Sequence, residues 1–136
     1  MRRAPDRRLL LAGLFLAIPI LVAPHAGAQS LPNRKVVIFF REWSAAFDHS
    51  ATGTLNSVAK WAKEHPSVRL LVTGFADPKG SQQSNAYLSQ LRAERVYDTL
   101  IEDGVPADRI ERKGLTPGEA MQPGLQSRRV EISAVP

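Results

Sequence analysis

The segment from Gly74 to Leu100, GFADPKGSQQSNAYLSQLRAERVYDTL, constrains the fold more than any other part of the chain. A strand-like run, Val68 to Phe75, leads to Asp77 and the turn Pro78-Lys79-Gly80, and a helix follows with Ser81 or Ser84 as its cap. At about 100° per residue, Asn85, Ser89, Arg92, Ala93, Val96 and Leu100 fall in one arc of that helix. Ala93, Val96 and Leu100 form an ordinary core stripe. Asn85, Ser89 and Arg92 continue it toward the helix start as polar groups. A guanidinium on the core side needs a partner, because an unpaired buried charge is strongly destabilising. Together with the carboxylate at the strand end, the stripe offers an anion, a guanidinium fork and two neutral hydrogen-bonding groups to one small ligand. The blander alternatives are a turn or capping role for Asp77 and an internal ion pair of Arg92 with Asp77 or a surface glutamate.

The surrounding pattern alternates strand and helix. Lys35–Phe40 (KVVIFF) is apolar, β-branched and aromatic, suited to a strand covered on both faces. Arg41–His49 reads as a loop. Ser50 or Thr52 is positioned to cap a first helix whose stripe is Leu55, Val58, Ala59 and Ala62, and Pro66 stops it. Val68, Leu70 and Val72 alternate with Arg69 and Thr73. The second helix ends at Gly104, with Pro106 just beyond. Arg109–Lys113 is a weak strand, the Gly- and Pro-rich stretch from Leu115 to Gln126 a loop, and Arg129–Ala134 a clean alternating strand. The order β-α-β-α-β-β predicts an α/β (α+β) two-layer sandwich, with helices on one face of a small mixed sheet.

Residues 1–28 read as a secretory signal: Arg2, Arg3, Arg7 and Arg8, then the apolar run Leu9–Ala23, then the small-residue cleavage site Ala26-Gly27-Ala28. That places the mature start at Gln29, a short linker at 29–34 and one domain at 35–136. The apolar run is short for a span, which takes about 20 residues, and Pro19 within it and Pro24 just after it weaken an uncleaved anchor further. Arg7-Arg8-Leu9-Leu10 faintly resembles a twin-arginine signal, although ordinary export is the better fit. The signal carries four basic residues and one acidic one, which leaves 14 basic against 12 acidic in the remainder. The basic excess therefore belongs largely to the signal. No basic stripe interleaved with aromatics appears, so nucleic acid is not an expected partner. Cysteine is absent, which removes disulfides, thiol nucleophiles, Cys-containing zinc sites and an acylated cysteine.

The pattern Gly74, Asp77, Gly80, Asn85, Leu88, Ser89, Arg92, Ala93, Val96 and Leu100 resembles the OmpA C-terminal-like domain. The resemblance continues through Gly104-Val105-Pro106-Ala107-Asp108-Arg109-Ile110 to Arg128-Arg129-Val130-Glu131-Ile132, and covers roughly residues 35–134. It implies a module that tethers envelope proteins to peptidoglycan through the diaminopimelate of the stem peptide. The end of that side chain is a zwitterion: an ammonium and a carboxylate on one carbon. On this reading Asp77 accepts from the ammonium, Arg92 holds the carboxylate bidentately, Asn85 orients the two, Ser89 contributes its hydroxyl and Arg128 assists with the carboxylate. Three positions depart from the family pattern: Phe75 and Ala76 stand before the aspartate in place of a histidine and a threonine, and Ser127 replaces an asparagine.

Other chemistry is poorly represented. His49 and His65 are isolated and suit surface or structural roles, no Gly-x-Ser-x-Gly elbow occurs, and Trp43 and Trp61 are expected to pack, although either could serve as a sugar platform. The expected protein is non-enzymatic, without cofactor or metal, periplasmic and associated with the cell wall and outer membrane. Its expected partner is peptidoglycan, with other envelope proteins possible and no membrane span in the mature chain. The alternative, motivated by Ala76 and Ser127, is an envelope-assembly subunit of the same fold with weakened wall binding.

Overall fold

In the computed structural model, Leu31, residues 35–115 and residues 124–136 are described. The expected signal (1–28) and the middle of the Gly- and Pro-rich stretch lie outside them. Six main elements follow in the expected order: β1 (Val36–Phe39), α1 (His49–Glu64), β2 (Arg69–Gly74), α2 (Gln82–Glu102), β3 (Ile110–Gly114) and β4 (Arg129–Val135). Short 3₁₀ turns at Ala107–Arg109 and Leu125–Ser127 lead into β3 and β4.

The sheet order is β1-β4-β2-β3, with β4 antiparallel to both β1 and β2 and β3 parallel to β2. The parallel pair is joined by the α2 crossover, as parallel strands require. Register sets Val72 opposite Ile132 and Ile38 opposite Val130, so the period-2 apolar residues share one face. On that face they form one core with Leu55, Val58, Ala59 and Ala62 of α1 and Ala93, Val96 and Leu100 of α2. This is the anticipated two-layer α+β arrangement.

Three local expectations need correction. Strand β1 lies at the sheet edge with only its inner face covered: Ile38 is buried, while Val37 and Phe39 are 36% and 43% exposed. Its continuous apolar run therefore does not mark a doubly covered strand. The cap of α1 is Asp48, not Ser50 or Thr52, because its Oδ1 accepts from the Ala51 amide at 2.8 Å. The cap of α2 is Ser81, as one of the two expected alternatives. Finally, Trp61 packs as anticipated, stacked on His65 at 4.2 Å, but Trp43 remains 58% exposed.

Two glycines set the position of α2 on the sheet. A Cβ at Gly74 would lie 2.0 Å from the Ser89 carbonyl oxygen, and one at Gly114 would lie 2.6 Å from both the Gln90 amide nitrogen and the Ser89 Oγ. These residues are cross-strand partners in β2 and β3, so the helix backbone rests directly on a bare patch of sheet. Arg109 fixes the opposite end of the domain. Its guanidinium donates to the carbonyls of Ala62, His65 and Val68 and ties together the chain leaving α1.

Candidate functional site

Where β2 ends, the chain meets the start of α2, and the polar part of the α2 stripe lies beneath this junction. Asp77, Asn85, Ser89 and Arg92 are all buried, Asn85, Ser89 and Arg92 almost completely. A narrow cleft with only about 10 Å³ of free space is lined by Glu42, Trp43, Asp77, Asn85, Leu88, Arg92 and Arg128. Four of the five residues expected from sequence thus converge there. Ser89 does not, because its hydroxyl sits 2.8 Å from the Ala86 carbonyl and 2.9 Å from that of Leu115, behind the helix–sheet contact. There it packs closely against Gly74 and Gly114.

Arg92 is engaged differently from either sequence expectation. Its Nε donates to the Ser44 carbonyl (2.9 Å), Nη1 to that of Phe75 (2.9 Å) and Nη2 to that of Arg41 (3.0 Å), and its guanidinium lies 5.2 Å from the Phe40 ring centroid. No carboxylate pairs with it among the described residues. Three of its five N–H donors are spent on backbone. Burial, reinforced by the charge of Arg128 and opposed by that of Asp77, lowers its pKa to about 10, which leaves it cationic at neutral pH. Arg92 therefore both anchors the β1–α1 loop and holds positive charge under the cleft.

Asp77 is held by the protein on both oxygens. Oδ1 accepts from the Lys79 amide at 3.1 Å, Oδ2 accepts from the Gly124 amide at 3.0 Å, and Arg128 Nη1 stands 3.6 Å from Oδ2. Burial pushes its pKa up. The two amide bonds, with the charges of Lys79 and Arg128, outweigh burial and hold the carboxyl below its ordinary value. Two lone-pair directions remain for a ligand.

Asn85 donates from Nδ2 to the Lys79 carbonyl at 2.7 Å, which closes the turn before α2. Among the described residues its buried Oδ1 has no partner, and neither has the buried Nε of Arg128 or the Ser127 Oγ nearby in sequence. Native interiors satisfy nearly all such groups. An unpaired acceptor and an unpaired donor on two cleft-lining residues suit a ligand that bears both ammonium and carboxylate. Arg129 turns away, as alternation with the fully buried Val130 predicts; it lies over the Phe75 ring and bonds to Glu131.

The OmpA family matches residues 39–128, which spans the cleft and both helices. The chain belongs to the OmpA family. Its relatives include the Probable lipoprotein YiaD of Escherichia coli, 35% identical over 113 residues that make up 79% of this chain and 50% of that one. The Peptidoglycan-associated lipoprotein of Rhizobium meliloti is 33% identical over 73 residues, 54% of this chain and 42% of that one. The chain thus aligns with half or less of the length of these curated relatives. Among solved structures, the peptidoglycan-associated lipoprotein of Burkholderia pseudomallei superposes with a TM-score of 0.69 at 26% identity, covering 73% of this chain and 89% of that one. The C-terminal domain of Helicobacter pylori MotB gives 0.65 at 26% identity, over 74% and 84%. The OmpA-family chain shares the mixed four-stranded sheet and two helices of these neighbours and, among the described residues, has no helix long and apolar enough to cross a membrane.

Proposed function

We propose that this OmpA-family domain binds peptidoglycan noncovalently, through the zwitterionic end of stem-peptide diaminopimelate, and performs no catalysis. The observation that carries the reading is the pairing of Asp77 with Arg128 at 3.6 Å, in a cleft where Asn85 Oδ1 and Arg128 Nε have no partner among the described residues. Two relatives whose names associate them with peptidoglycan support the same ligand class. The ligand ammonium would bond to the free lone pairs of Asp77 and to Asn85 Oδ1. The carboxylate would meet Arg128, with Arg92 supplying positive potential and two uncommitted N–H groups from below. The start of α2, capped by Ser81, adds the positive end of a helix dipole near that carboxylate.

On this reading residues 1–28 export the chain and are removed before Gln29, and residues 35–136 act on the periplasmic side of the envelope, at the cell wall. Sedimentation of the purified protein with sacculi tests the ligand. It should co-sediment with diaminopimelate-containing walls, and free diaminopimelate should release it. Walls with lysine at the same position lack the distal carboxylate and should retain little. Equal retention by both wall types would remove the zwitterion from the account, and retention by neither would favour an envelope-assembly role.

A further inference from the structure

The cleft has a charged floor and only two apolar lining residues, Trp43 and Leu88. Trp43 is unusual in two respects. It is the only non-glycine residue with positive φ (54°) among the described residues, and it is a large aromatic left 58% exposed. Residues held in sparsely populated backbone conformations persist where the surroundings over-determine them, and they concentrate at ligand-binding sites. Here the surroundings are identifiable. Arg92 bonds the carbonyls of Arg41 and Ser44, on either side of Trp43, while the turn at Gly80 leaves the indole room: a Cβ there would lie 3.1 Å from Trp43 Cη2. Packing over one glycine accounts for the edge of the ring and leaves most of its surface in solvent.

We propose that Trp43 is a ligand-contacting wall of the cleft, covering the unbranched aliphatic chain that leads away from an amino-acid zwitterion held by Asp77 and Arg128. The proposal rests on the zwitterion reading above and adds a second element of recognition. The charged residues of the cleft read the two charges on one carbon, and the indole, which lines the cleft together with Leu88, reads the methylenes beyond it. A flat aromatic suits this task because it buries a chain of several carbons without needing a hydrogen-bond partner in each position. Selectivity would then depend on chain length as well as on charge.

The test is a titration of the purified chain, followed through the Trp43 indole N–H and neighbouring amides by NMR, with alanine, 2-aminobutyrate, norvaline and norleucine. These share one zwitterion and differ by single methylenes. The parent should bind more tightly along the series, by up to about fourfold per methylene buried. Trp43→Ala, followed through the amides alone, should bind alanine like the parent and lose the increment, and Trp43→Phe should keep part of it. An unchanged increment in Trp43→Ala overturns the proposal, as does one equal loss on all four ligands. If the parent binds none of the four, the zwitterion reading fails together with it, an outcome distinct from the other two.

Discussion

Arg128 Nη1 stands 3.6 Å from Asp77 Oδ2 in the cleft, while the fully buried Arg92 gives its guanidinium to the carbonyls of Arg41, Ser44 and Phe75. The two arginines therefore divide the work. Arg92 assembles the walls and sets the potential, and on the proposed reading Arg128 is the cation that meets the ligand alongside Asp77. This division separates variants that damage the fold from variants that damage binding.

Arg92→Ala should be primarily a folding defect. It strands three backbone carbonyls, and a buried group left without a partner costs about 1–3 kcal/mol. A loss of more than 10 °C in Tm is expected, at about 4–8 °C per kcal/mol for a domain of this size. Thermal unfolding followed by circular dichroism reads the outcome, and a Tm within a few degrees of the parent would mean that these three bonds contribute little.

Gly74→Ala tests the bare patch under α2. Its Cβ would sit 2.0 Å from the Ser89 carbonyl oxygen, and backbone on both sides cannot yield cheaply. A destabilisation at or above the usual 1–3 kcal/mol of overpacking is expected in urea unfolding. Gly53→Ala, where a Cβ meets nothing within 4 Å in the middle of α1, should be neutral or slightly stabilising.

Much of this architecture was legible in the sequence. The period-2 and helical stripes identified the layers and the core positions of β2, β4 and most of α1 and α2, because burial of an apolar face is what those periods encode, while Leu31, Ala51, Trp61 and Val105 belonged to no stripe. The polar stripe of Asn85, Ser89 and Arg92 pointed to the candidate cleft, which Asn85 and Arg92 line and Ser89 does not. Apart from the local cap at Asp48, the misreadings at the site have a common cause: they concern partners distant in sequence. Arg92 meets backbone carbonyls of Arg41 and Ser44, and Ser89 meets the carbonyl of Leu115, 26 residues away. Carbonyls carry no sequence signature. Arg109 escaped individual notice for the same reason. The edge position of β1 depends on strand order, which local composition does not specify.

Asp77 also predicts a pH dependence. Its carboxyl titrates below its ordinary value of 3.8 in the folded protein. A lowered folded-state pKa contributes stability that is complete above the unfolded value and is lost as pH falls through the folded one. The contribution of Asp77 should therefore be constant at neutral pH and decline below about pH 4. Urea midpoints of the parent and Asp77→Asn should differ most at pH 7 and converge toward pH 2. A difference that grows on acidification would contradict the sign of this shift.

Co-sedimentation of Asp77→Ala and Arg128→Ala with diaminopimelate-containing sacculi tests the central claim most directly. Each truncation removes one charge of the cleft, and losing one partner of a desolvated charged contact costs about 2–5 kcal/mol, enough to abolish a weak interaction. Both variants should retain a cooperative unfolding transition and remain in the supernatant, while Lys79→Ala, whose amide rather than side chain contacts Asp77, should sediment like the parent. If folded Asp77→Ala and Arg128→Ala sediment as the parent does, the cleft is not the peptidoglycan site.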